Sequence, residues 1–284
     1  MSEPGHHPLA IVAGRGNLPK LLAEHCVRTA RPYRVVRVGG MALDWLGSHP
    51  VIEAEFERFG ALFEALHSAG CTSVVFAGGM ERPNLDPARF DAKTLEIVPK
   101  LIPALGKGDD TTLRAIAGIF EAEGFAVEAA HSLLGNLIAP IGALGAHSPT
   151  PADLDDVARA LVITEALGRV DVGQGAVVAQ GLCLGLESLQ GTDRMLEFVA
   201  ASSDGLRPDP AGAKGVLLKR PKPGQDLRMD MPAIGPDTVR LAANAGLAGI
   251  AVLAGGVLVL DRAKSVALAD KLGLFVYGIS AETP

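Results

Sequence analysis

The stretch DLRMDM (226–231) alternates charged and apolar residues without a break: Asp226, Arg228 and Asp230 against Leu227, Met229 and Met231. In a strand, side chains two apart share a face, with about 7 Å between neighbours. The spacing predicts a short strand that buries its Leu/Met edge and displays carboxylate, guanidinium and carboxylate in a row. Such carboxylates can hold a hard divalent cation, and Mg²⁺ is satisfied by one or two of them plus water. Asp226 and Asp230 are the carboxylates on that face, and nearby basic groups could meet the non-bridging oxygens of a phosphate. Gln225 joins them if Gly224 kinks the entry. Pro223 and Pro232 fence the stretch, and Lys219, Arg220 and Lys222 lie just upstream. Downstream, Gly235-Pro236-Asp237-Thr238 opens a helix whose free N–H groups can meet an anion. The set suits phosphoryl chemistry, where positioning and electrostatics carry most of the catalysis. A solvent-facing strand with internal Asp–Arg–Asp pairing is the plainer alternative.

Two glycine turns offer further ligand contacts. GRGNLP (14–19) follows an apolar strand and precedes a helix, which makes Gly14 and Asn17 candidates. It lacks the third glycine of a dinucleotide fingerprint, and the next strand ends in Gly39-Gly40 instead of an acid. An NAD-linked oxidoreductase is therefore a weaker alternative. GGMERP (78–83) sits at the end of another strand, where open α/β sheets bind ligands, so Gly79 and Met80 are also candidates. Asp109 and Asp110 stand adjacent at a helix start, which capping and the helix dipole favour without a metal. Histidine clusters, a G-x-S-x-G elbow and a Walker loop do not occur.

These residues must be held by a framework that the apolar pattern outlines. Strands are expected at 9–14, 33–40, 71–79 and 125–130, with helices at 16–30, 59–70 and 109–124. That alternation predicts a parallel, doubly wound, Rossmann-like sheet. The stretch 132–153 is broken by Gly135, Pro140, Gly142 and Gly145, and marks the boundary between domains at 1–146 and 147–284. The second α/β domain opens on a helix from Pro151, capped by Thr150. One long or bulged strand is expected at 175–188, a helix at 192–203 and a strand at 215–222. A helix from Pro236, a strand pair split by Gly255-Gly256, a helix at 262–272 and a strand at 274–280 finish the chain.

Net charge of −6 with no basic stripe argues against nucleic acid. Cys26, Cys71 and Cys183 are few and scattered, which fits a reducing cytoplasm, and the N-terminus has no export pattern. Leu241 to Leu260 is uncharged over a bilayer-spanning length, yet its glycines and Asn244 favour a helix end and two buried strands.

The block KPGQDLRMDMPAIGPDTV (222–239), with GTDRML (191–196), QGAVVAQG (174–181), GDDTTLRAIAGIFEAEGF (108–125) and AGRGNLP (13–19), resembles the LpxI type of UDP-2,3-diacylglucosamine pyrophosphatase. The resemblance runs in order through nearly the whole chain. It implies Mg²⁺-dependent hydrolysis of UDP-2,3-diacylglucosamine to UMP and 2,3-diacylglucosamine 1-phosphate (lipid X) in lipid A synthesis. It also implies two domains that clasp the lipid in a cleft between them. The essential aspartate of the family falls on Asp226, with Asp230, Arg228, Gln225 and Lys219 as neighbours. Thr192 and Asp193 are expected to face the site, and Gln174 and Thr238 complete the expected substrate contacts. Parts of 133–146 and 236–247 are expected to wall off the acyl chains. The implied enzyme is cytoplasmic, transiently peripheral at the inner membrane, and a candidate homodimer. A non-catalytic glycolipid carrier is the other alternative.

Overall fold

The computed structural model describes residues 7–80, 83–105, 108–202 and 205–280. The chain forms two compact units, one of residues 1–135 with 226–230, the other of 136–225 with 231–284.

In the first unit, β1 (Leu9–Ala13), α1 (Leu18–Arg28), β2 (Tyr33–Val38), β3 (Val51–Ala54), α2 (Phe59–Ser68) and β4 (Ser73–Ala77) follow in order. Then come α3 (Ala92–Leu105), α4 (Asp109–Ala122), β5 (Ala126–Glu128) and α5 (Ala130–Leu133). The sheet order is β3-β2-β1-β4-β5, all parallel, as the strand–helix alternation predicts. Every residue of β1 is buried, as a central parallel strand requires. Leu62, Phe63, Leu66, Phe120 and Phe125 cover the sheet, and Phe63 meets Phe120 edge-on at 5.2 Å between ring centres. Met229 joins this core from far along the chain.

Strand order reverses between β1 and β4, the position where doubly wound sheets take ligands. Here the two loops pair with each other: Arg15 N–H donates to Gly79 O at 2.7 Å and Gly79 N–H to Arg15 O at 3.1 Å. A Cβ on Gly14 would sit 2.6 Å from the carbonyl oxygens of Gly78 and Gly79. Gly78 itself has φ +86°. Close backbone crossing thus accounts for both glycines. Asn17 occupies the N-cap position of α1, but its side chain makes no capping bond there.

The second unit holds β6 (Gly142–Ala143), α6 (Pro151–Arg169), β7 (Gly175–Ala179), β8 (Leu182–Leu186), α7 (Gly191–Ser202) and β9 (Val216–Lys219). It continues through β10 (Ala233–Ile234), α8 (Pro236–Asn244), β11 (Gly249–Leu253), β12 (Leu258–Val259), α9 (Arg262–Leu272) and β13 (Phe275–Ile279). Its main sheet runs β6-β13-β11-β9-β7-β8, with β9, β11 and β13 parallel and the rest antiparallel; β10 and β12 pair separately. Val177 and Leu217 face α7 and α8, while Val178, Val216 and Leu218 face α6. Thr150 and Asp153 close a full capping box at the start of α6.

The uncharged run 241–260 is divided among α8, β11 and β12, and no described helix is long and apolar enough to cross a membrane. Three expectations change. The chain divides after Gly135, ahead of 146, because Gly142 and Ala143 already pair with β13. The stretch 175–188 is a hairpin, not one strand: Gln180 takes φ +52° and Gly181 φ +78°, and β7 and β8 run antiparallel. The third change concerns 226–231, and it decides the site.

Candidate functional site

Residues 226–231 do not form a strand. Asp226 captures its own backbone: its Oδ1 accepts the Arg228 N–H at 3.1 Å, and its carbonyl accepts from Met229 at 3.0 Å and Asp230 at 3.3 Å. That aspartate-led turn, entered through Gly224 at φ +72°, wins over strand pairing. Asp226, Arg228 and Asp230 therefore do not line one pleated face. Met229 is the buried anchor, and the charged residues stand around it.

The turn lies along α4. Asp226 N–H donates to Asp110 Oδ1 at 3.2 Å in the first turn of that helix, and Arg228 Nη1 donates to Glu121 Oε1 at 2.8 Å in its last. Because α4 leads straight into the start of β5, its own first turn points toward the carboxyl ends of the strands. Arg228 grips Asp226 with a fork, Nε to Oδ1 at 3.0 Å and Nη2 to Oδ2 at 2.7 Å. Arg114 holds Asp110 from one helical turn away, at 2.7 Å. The Arg228 guanidinium, against some opposing desolvation, keeps the Asp226 carboxyl below the ordinary carboxylate range; Asp226 and Glu121 together push Arg228 upward. The Asp–Arg pairing of the plainer sequence alternative is thus present, but in a turn that also draws in Asp110 and Glu121.

The donor chemistry fits a hard cation. Among the described residues no group of three or more His, Cys, Asp or Glu side chains is arranged as a metal cage. Mg²⁺ needs no such cage, since one or two carboxylates with water and phosphate oxygens suffice. Asp226 would hold it, beside Asp110, which its own N–H already contacts. Both Asp226 oxygens are engaged by Arg228, so a cation and that guanidinium compete for the same carboxylate.

In the second unit, Lys219 ends β9 and is buried against the start of α7. Its Nζ donates to Thr192 Oγ1 at 2.6 Å, and that hydroxyl donates to Glu187 Oε1 at 2.8 Å. Glu187 Oε1 lies 3.7 Å from Nζ, which completes a buried ion pair. Among the described residues, Glu187 Oε2 and Gln174 Oε1 are buried with no hydrogen-bond partner. Asp193 is exposed in the first turn of α7. Gln225 closes its own loop, its side chain accepting from Lys222 N–H at 2.8 Å. Thr238 accepts from Gly235 N–H at 3.4 Å where α8 begins.

The expected residues therefore fall into three places. Gly14, Asn17, Gly79 and the exposed Met80 lie on the β1 and β4 loops; Asp226, Arg228 and Asp230 lie on the turn beside α4; and Lys219 joins Thr192 in the second unit. Neither Glu187 nor Glu121 is among the residues expected from the sequence, and Asp110 is expected there only as a helix-start acid. Glu187 left a signal, as the one acid between Gly173 and Thr192.

Fold and clusters together define a two-unit α/β protein with a carboxylate–guanidinium cluster beside α4. Residues 8–137 match the LpxI N-terminal domain and residues 140–277 the LpxI C-terminal domain. The chain is 43% identical over 274 residues to the UDP-2,3-diacylglucosamine pyrophosphatase LpxI of Caulobacter vibrioides, spanning 96% of this chain and 98% of that protein. It belongs to the LpxI family.

Proposed function

We propose that this protein hydrolyses the pyrophosphate of UDP-2,3-diacylglucosamine, giving UMP and 2,3-diacylglucosamine 1-phosphate for lipid A synthesis. The carrying observation is the match to a pyrophosphatase of that name over 96% of the chain, with Asp226 at the centre of a charged cluster. Asp226 would hold the metal or orient the attacking water, and Asp230 would support the metal. Bound Mg²⁺ would supply positive charge to the phosphate oxygens. Arg228, half-exposed beside Asp226, offsets further phosphate charge. In the second unit, Lys219 and Thr192 fix the start of α7, where first-turn N–H groups favour an anion. Leu137 and Leu144 line a groove beside α9 and supply apolar wall for an acyl chain, worth about 0.8 kcal/mol per buried methylene. The substrate's acyl chains bring a cytoplasmic protein transiently to the inner-membrane surface.

The test is incubation of the purified protein with UDP-2,3-diacylglucosamine, with and without Mg²⁺, followed by mass spectrometry for UMP. Mg²⁺-dependent UMP is the expected result. Lipid X binding without UMP release would make the protein a carrier and end the enzymatic reading.

A further inference from the structure

Arg228 has two carboxylate partners at once. Nε and Nη2 engage both oxygens of Asp226 at 3.0 and 2.7 Å, and Nη1 engages Glu121 at 2.8 Å. The Asp226 carboxylate is mostly buried, whereas Arg228 and Glu121 are each 44% exposed. The geometry therefore has one fixed acid, one outer acid and a long cation bridging them. Asp226 is fixed through its backbone to Asp110 at the head of α4, and Glu121 stands at the tail of the same helix. A rigid helix thus sets the distance over which the guanidinium can trade partners.

Any divalent cation that takes the oxygens of Asp226 must loosen the fork. A guanidinium released into water would regain its full rotamer freedom and leave the site. One still held at Nη1 stays beside the carboxylate, with Nε and Nη2 turned free for an incoming phosphate. We infer that Glu121 is a positioning residue: it retains Arg228 while a divalent cation displaces it from Asp226. The inference rests on the reading that Asp226 binds the cation. Glu121 never touches the metal or the substrate in this arrangement; it acts through Arg228.

A merely electrostatic role, in which Glu121 adds negative potential, would also favour cations, so a double-mutant cycle is needed. The full-length protein without substrate is titrated with Mn²⁺, followed by water-proton relaxation, as wild type, Glu121→Gln, Arg228→Gln and the double variant. Wild type is expected to bind Mn²⁺ in a manner lost in Asp226→Asn. Glu121→Gln should weaken binding by up to about fivefold, the scale of an exposed ion pair. Arg228→Gln should tighten it, and adding Glu121→Gln to that variant should change nothing further. In the UMP assay, Glu121→Gln should raise the Mg²⁺ concentration that gives half-maximal turnover. A structural role would move the melting temperature and leave that requirement alone. Equal weakening in both backgrounds, no weakening at all, or Mn²⁺ binding indifferent to Asp226 would each overturn the inference. Glu121 is exposed, and Glu121→Ala gives a second variant should the first fold poorly. Absence of UMP from wild type would sink the enzymatic reading alone, since the Mn²⁺ cycle needs no turnover.

Discussion

Two clusters that each set a basic side chain against carboxylate sit under opposite solvation. Around Asp226, an arginine at the surface bridges two acids and can change partners. Around Lys219, an ammonium, a hydroxyl and a carboxylate are sealed beneath α7, each less than a tenth exposed. Exposed ion pairs contribute little and exchange readily, whereas a buried charge is fixed because losing its partner strands it. The first arrangement suits groups that must meet a ligand. The second suits a scaffold that must not move. Lys219, expected from the sequence to sit against phosphate, is on this showing first a residue that locks the start of α7 onto the sheet.

The comparison can be broken most severely at Lys219. Lys219→Met leaves Glu187 charged and unpaired in the interior and should destabilise the second unit by about 3–5 kcal/mol. Adding Glu187→Leu should recover much of the loss in chemical denaturation, and no recovery would mean the pair is not what holds that region. At the exposed cluster the larger effect should fall on turnover. Asp226→Ala should cut the rate by on the order of 10²–10³ while keeping the melting temperature close to wild type. Wild-type UMP release in that variant would remove Asp226 from the chemistry.

Smaller effects sharpen the contrast. Arg31 binds Glu128 through two hydrogen bonds, at 2.9 and 2.6 Å, where β4 meets β5. Burial raises the Glu128 carboxyl, but Arg31 and Ser73 outweigh that and hold it below its ordinary value. Glu128→Ala should cost about 1–3 kcal/mol, between the two clusters in size as in burial. Arg228→Gln should cost under about 1 kcal/mol. Its readout is pH. With Arg228 present, the Asp226 carboxyl titrates below the ordinary range, so the ion pair contributes above that range and is lost as pH falls through the lowered value. Without Arg228 the acid limb of Mn²⁺ binding should move up in pH, and an unmoved limb would mean that the fork does not govern Asp226.

Much of this framework was legible in the sequence because apolar periodicity reports burial directly. β1, β4 and β11 are short apolar runs, and α4 carries its acids at the start and its Ile119 and Phe120 inward. Other elements hid for physical reasons. β3 is a four-residue edge strand with a single buried side chain, Ala54. α3 holds Pro99 and Pro103 in its interior, which argue against a helix, yet Thr94, Ile97, Leu101 and Ala104 keep one face in the core. At the candidate site the geometry of the charged turn was not legible. The alternation in DLRMDM has the period of a strand, but an aspartate side chain that bonds the backbone two residues on overrides periodicity. Glu121 and Glu187 could not be paired with Arg228 and Lys219 from the sequence, because long-range partners leave no local pattern.

Met229 lies in the core of a unit that, apart from its own five-residue turn at 226–230, ends at Gly135. A ribosome must therefore translate most of the second unit before the first can finish packing. Early nascent chains carry an N-terminal sheet with one anchor missing, and a fragment ending at residue 135 would inherit the same gap. The piece that arrives last is the turn bearing Asp226, so the protein cannot complete its first core without also installing its acidic centre.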